Sequence, residues 1–139
     1  MSAFTAVPTD DALLADARAA AANAHSPYSG WRVGAAAVFA ETGGAIFRGA
    51  NVENGSYGLT ICAERNAVAH AVASGARDLV AIAVVTENGV TPCGACRQVL
   101  AEFGPEMTVI VADTRGNRRS YMLGELLPDA FSPEQLKDD

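Results

Sequence analysis

Residues 79–85, Leu-Val-Ala-Ile-Ala-Val-Val, carry no polar side chain before Thr86 interrupts them. A β-branched apolar run of this length reads as a strand, Leu79–Thr86, with no face to give to water. Covering it takes a layer on each side, so the chain has to build a sheet between helices. The rest of the sequence supplies the parts. Thr9 can cap a helix, with Asp10 and Asp11 in its first turn, running to about Ala24. Leu13, Leu14, Ala17 and Ala21 share one face of it. Ser26–Gly30 breaks this helix. Trp31–Ala40 and Ala45–Val52 read as strands joined by Glu41-Thr42-Gly43-Gly44, a hairpin turn.

After a loop at Glu53–Leu59, a helix is expected from Ile61 to Ser74, ended by Gly75. A third helix runs from Pro92 to Phe103, and Thr108–Ala112 is another strand. Leu123–Leu127 forms a short helix before Pro128; residues 1–8 read as a loose leader and the acidic tail as frayed. This order predicts an α/β fold. It is a three-layer α/β/α sandwich around a mixed sheet, with an initial hairpin and later parallel crossovers. No repeat, linker or composition shift divides the chain, so 1–139 is expected to be a single domain.

Composition narrows the partners. The net charge is −6, and the basic residues form only short pairs such as Arg118–Arg119, which read as solvated surface. A nucleic-acid partner is therefore not expected. The apolar runs are too short to span a bilayer, so no membrane partner is expected either. No basic stretch followed by an apolar one opens the chain, which makes the cytoplasm the expected location. There, three cysteines are reduced and available for chemistry, and an odd number leaves one over in any disulfide scheme.

Those cysteines have a metal-site pattern. Thirty residues separate Cys62 from Cys93, and two separate Cys93 from Cys96. Cys93 and Cys96 lie on one side of a first helical turn that Pro92 can open. Cys62 follows Thr60, a candidate N-cap, so all three sulfurs sit at helix N-termini, where unpaired N–H groups favour thiolates. Three ligands leave a tetrahedral Zn2+ one open position, the mark of a catalytic site. Neither His25 nor His70 has the short spacing to a cysteine that would make it an evident fourth ligand. Glu64 would point about 200° away from Cys62 in a helix body. At a helix start it can curl back toward the metal and move protons. Three thiolates overcharge a divalent ion, so a neutralising arginine is expected. Arg65, three residues past Cys62, and Arg97, one residue past Cys96, are the candidates.

Around this constellation the sequence resembles the small cytidine deaminases. The resemblance is carried by Ser26-Pro-Tyr-Ser29, Val33-Gly-Ala-Ala36, Asn51-Val-Glu-Asn54, Tyr57-Gly-Leu-Thr60, Cys62-Ala-Glu-Arg65, Pro92-Cys-Gly-Ala-Cys-Arg-Gln98 and Leu126-Leu-Pro128 with Phe131. It implies a five-stranded sheet and a hydrolase that converts cytidine and deoxycytidine to uridine and deoxyuridine with release of ammonia, as in pyrimidine salvage. It also implies that Cys62, Cys93 and Cys96 hold zinc, Glu64 shuttles protons, and Asn51 and Glu53 bind the ribose hydroxyls. Ala63 and Trp31 would line the nucleoside; Trp31 stands where the family commonly has phenylalanine. A homotetramer whose sites borrow residues from neighbouring subunits is a further implication.

Three other readings remain open. One is a deaminase of a cytosine-containing antibiotic such as blasticidin S, against which the Asn51/Glu53 pair argues. Another is a non-catalytic zinc module, which requires a closed four-ligand site. The third, nucleic-acid editing, conflicts with the acidic charge.

Overall fold

The computed structural model describes residues 7–137. Most of the expected leader and the last two tail residues, Asp138 and Asp139, lie outside them. The β-branched run becomes β3 (Leu79–Val85), flanked in the sheet by β1 (Gly34–Phe39) and β4 (Thr108–Ala112). With β2 (Ile46–Ala50) and β5 (Arg118–Met122), the sheet order is β2-β1-β3-β4-β5. β1 is antiparallel to both β2 and β3, β3 is parallel to β4, and β4 is antiparallel to β5.

The apolar run is covered on both sides, as its composition demands. Ile82 and Val84 face one buried cluster, with Ala63, Ala67, Val68, Ala71 and Leu100 from helices α2 (Ala63–Ala73) and α3 (Gly94–Phe103). Ala81, Ala83 and Val85 face the other, with Leu13, Leu14 and Ala17 from α1 (Asp10–Ala21). The three-layer sandwich is therefore present. Two helices cover one face and α1 covers the other.

Several boundaries differ from expectation, each for a hydrogen-bonding reason. Thr9 caps α1 through Oγ1, which accepts from the Ala12 N–H at 3.1 Å. The helix stops at Ala21 rather than Ala24, because the His25 N–H is taken by the Asn51 carbonyl at 3.0 Å. β1 starts at Gly34 rather than Trp31, because the Asn51 side chain binds the preceding backbone at Trp31 and Val33. The hairpin forms with Gly43 and Gly44 at φ +64° and +82°, but its connection is longer than read: a 3-10 turn at Ala40–Thr42 follows β1, and β2 starts at Ile46. β5 is the element that residue-by-residue reading missed. Its arginines were placed on the surface, and they are exposed there, but they also pair with β4 as an edge strand. Only the resemblance called for five strands. A short α4 (Leu123–Leu126) follows it.

The seat of α2 is unusually close. A Cβ built on Gly49 of β2 would fall 2.3 Å from both the Ala63 carbonyl oxygen and the Ala67 nitrogen. Any side chain there has to push α2 off the sheet. Gly49→Ala is accordingly expected to cost about 1–3 kcal/mol by overpacking. Gly124→Ala, in open space on α4, should be neutral or mildly stabilising. Urea denaturation midpoints of the two variants check this; equal midpoints would contradict the close seat.

Candidate metal centre

Cys62 is the N-cap of α2 and Cys93 the N-cap of α3, while Cys96 lies in the first turn of α3. Two helices that cover the same face of the sheet thus begin side by side. Neither N-cap sulfur makes a capping hydrogen bond, so both helices direct unpaired N–H groups toward the thiols. Thr60 is not the cap of α2. Val52 and Ile61 exchange backbone hydrogen bonds, both 3.0 Å, which hold Ile61 extended and delay the helix to Ala63. Thr60 Oγ1 instead accepts from the Asn54 N–H. Pro92 also lies outside its expected place, just ahead of the N-cap Cys93 rather than at the first helical position, which Gly94 takes.

The three sulfurs lie within 4.8 Å of one another, with Cys62 Sγ and Cys93 Sγ 4.0 Å apart. A tetrahedral zinc with Zn–S bonds of about 2.3 Å sets its sulfurs roughly 3.8 Å apart, so the residues fit that ion. Among the described residues neither His25 nor His70 joins the group. The His70 ring packs edge-on to Phe47, with Nδ1 3.4 Å from the Arg48 carbonyl oxygen. Among the described residues the cluster includes no fourth ligand of the kind a closed module requires.

The two candidate arginines separate cleanly. Arg65 Nη2 lies 3.5 Å from Cys62 Sγ, and its Nε is buried without a partner. Arg97 points elsewhere: Nε donates to the Pro92 carbonyl (2.7 Å), Nη1 to the Leu126 carbonyl (2.6 Å) and Nη2 to Thr91 Oγ1 (2.8 Å). Of the two, Arg65 is therefore the arginine that reaches a cysteine sulfur. The Cys96 thiol, then Arg65 and Cys93, lower the Cys62 pKa to about 5 against the effect of burial. The Cys96 pKa moves upward, because Cys62 takes its hydrogen bond and burial penalises a second charge.

Glu64 is 5% exposed and lines the same cavity as Cys62, so the first-turn geometry does bring them together. Burial pushes its carboxyl up to about 7, the Cys62 charge adds to this, and its own N–H and Arg65 oppose it. The cavity holds about 240 Å³ and includes Trp31, Asn51, Ala63 and Cys93 in its lining. Val33, Val84, Val90, Thr60, Thr86 and Thr91 complete the wall, and sequence reading missed them. A signal for Thr86 was present: it is the polar residue that ends the apolar run, at the carboxyl end of a parallel strand. Its buried Oγ1 accepts from the Gly89 and Val90 N–H groups.

Asn51 and Glu53 are placed differently from each other. Asn51, 7% exposed, accepts from Val33 N–H at 2.9 Å and donates to the Trp31 carbonyl at 2.7 Å. Glu53 lines an adjoining hollow with Tyr28, Ser29, Tyr57 and Thr60. Its carboxylate accepts from the Tyr28 and Ser29 N–H groups and from the Ser29 hydroxyl. The Ser29 hydroxyl leads the interactions that lower its pKa.

Residues 8–112 match the family model of the cytidine and deoxycytidylate deaminase zinc-binding region. The chain is 48% identical over 129 residues to a cytidine deaminase of Halalkalibacterium halodurans, covering 91% of this chain and 96% of that one. It is 45% identical over 126 residues to a cytidine deaminase of Mycobacterium tuberculosis, covering 89% and 90%. The crystal structure of a cytidine deaminase from Burkholderia pseudomallei is similar at a TM-score of 0.84 and 48% identity, covering 89% of this chain and all of that one.

Two measurements follow from this geometry. Elemental analysis should find about one zinc per chain, lost on replacing Cys62 or Cys96 by alanine. The Glu53 clamp on the Ser26–Gly30 turn should be complete above the ordinary carboxyl value of 4.5 and lost as pH falls through its lowered value. Glu53→Gln should accordingly speed amide exchange at Tyr28 and Ser29 near neutral pH; unchanged exchange would count against the clamp.

Proposed function

Since this chain belongs to the cytidine and deoxycytidylate deaminase family, we propose that its cavity is the active site of a zinc-dependent cytidine deaminase. The reaction is hydrolytic: cytidine and water give uridine and ammonia. We extend it to deoxycytidine. The observation that carries this reading is the buried Glu64 carboxyl in one small cavity with the thiols of Cys62 and Cys93.

Cys62, Cys93 and Cys96 would hold the ion, with Arg65 offsetting part of their charge. When bound, zinc supplies a Lewis acid and lowers the pKa of a water in its open position. Glu64 takes a proton from the attacking water onto a carboxylate oxygen. It delivers that proton to the ring nitrogen beside the amino-bearing carbon, then helps protonate the departing ammonia. Its raised pKa suits a group that must both accept and release a proton near neutrality. Trp31 and Ala63 wall the base, and the apolar lining strengthens electrostatic interactions inside.

Asn51 and Glu53 are assigned to the ribose hydroxyls. Asn51 keeps a second amide hydrogen and a second lone pair beyond its two backbone bonds. This pair favours a nucleoside over an antibiotic such as blasticidin S. The chain is taken to act as a single domain in the cytoplasm, where thiols stay reduced, and without nucleic acid, as its net charge of −6 suggests. No helix of the described residues is long and apolar enough to cross a membrane. Exposed apolar side chains at Tyr28, Val52, Tyr57, Leu59 and Ile61, near the site, support assembly as a homotetramer.

Zinc-loaded protein should release ammonia from cytidine, and turn over blasticidin S far more slowly. Glu64→Gln should keep its zinc but lose about 10²–10⁴ in turnover. Full activity in that variant would remove Glu64 from the proton relay, and a folded zinc protein inert on cytidine would overturn the reading.

A further inference from the structure

Cys93 is the most exposed of the three cysteines and stands at the end of a loop, not inside an element. Something has to hold that loop, because a zinc ligand displaced by about 1 Å no longer binds well. Among the described residues, every hydrogen bond reaching an oxygen of Thr91, Pro92 or Cys93 comes from Arg97. Its Nη2 reaches Thr91 Oγ1, its Nε reaches the Pro92 carbonyl, and its backbone N–H reaches the Cys93 carbonyl at 3.0 Å. Its Nη1 meanwhile binds the Leu126 carbonyl, at the C-terminal end of α4. The next residue, Gln98, reaches the Phe131 carbonyl at 3.1 Å.

We infer that Arg97 is a positioning residue for the zinc site: it latches the Thr91–Cys93 ligand loop to α3 and to the C-terminal segment. The planar guanidinium is suited to this, since one rigid group serves three acceptors in different directions. Half-buried in this place, it spends its donors on oxygen and leaves the sulfur charge to Arg65. The C-terminal segment thereby becomes part of the metal site's support, although none of its described residues lines the cavity. This inference rests on the three-cysteine zinc reading.

The test compares zinc-loaded wild type with Arg97→Ala, Arg97→Lys and Thr91→Val, following zinc release to a chromogenic chelator well below the melting temperature. Loss of support around a metal ligand typically weakens binding by roughly 10–100-fold. Faster release in that range is expected for Arg97→Ala. Lysine should not rescue it, because one ammonium cannot reach three acceptors. Thr91→Val, which removes one acceptor and leaves the arginine, should show a smaller increase. It also keeps the question open to measurement if Arg97→Ala does not fold. A role in charge alone predicts that Arg97→Lys matches wild type, and that result would overturn the inference. So would release unchanged in folded Arg97→Ala, or in Thr91→Val where Arg97→Ala does not fold. Wild type that binds no zinc would instead defeat the metal reading itself, which separates the two failures.

Discussion

Helices α2 and α3 start side by side because both are seated on the same face of one sheet, and the metal centre depends on that convergence. Each begins at a cysteine, and each directs an unpaired set of N–H groups at the same small volume. The placement is enforced from below. Gly49 lets α2 come down onto β2 with no side chain between them, and Ala63, Ala67 and Ala71 keep the contact thin. A larger residue at any of these positions would lift Cys62 and Glu64 together. The small side chains of this interface thus set the position of the chemistry.

Charge is handled locally rather than by the protein's overall field. The chain carries net negative charge, yet the thiols meet a guanidinium at 3.5 Å and two helix N-termini. Arg65 and Arg97 follow their respective cysteines by different routes and end with different tasks. The first faces sulfur. The second faces backbone oxygens and joins the ligand loop to the end of the chain. Glu64 is the group whose burial is costly, since desolvation opposes its charge. Keeping such a group inside a cavity costs stability, a trade that the proposed proton relay would explain.

The cavity also links the segment just before β1 to the cysteines. Asn51 holds the backbone at Trp31 and Val33, and Glu53 holds it at Tyr28 and Ser29. Neighbouring residues after β2 therefore brace Trp31 and Val33 in the cavity lining and the turn that borders the adjoining hollow. Trp31 belongs to that wall and also borders a second, more polar hollow with Glu87, Asn88 and Asp113. Its position is fixed by the backbone bond to Asn51 Nδ2, so the aromatic wall and the proposed ribose contact are not independent.

The sequence alone determined the layered fold, because an unbroken apolar strand has to be covered twice, and it determined the three sulfurs, because their spacing places them at helix starts. Glu64 was legible for the same reason: a first-turn position can reach past the helix end. Local spacing could not decide what depends on contacts between distant segments. β5 escaped because its exposed residues carry no apolar alternation, and only pairing with β4 makes it a strand. The start of α2 moved from Thr60 to Cys62 because a bridge between Val52 and Ile61 holds the chain extended. The roles of Arg65 and Arg97 stayed open because each lies within one helical turn of a cysteine. The tertiary structure separated them by placing Leu126 within reach of one and the Cys62 sulfur within reach of the other.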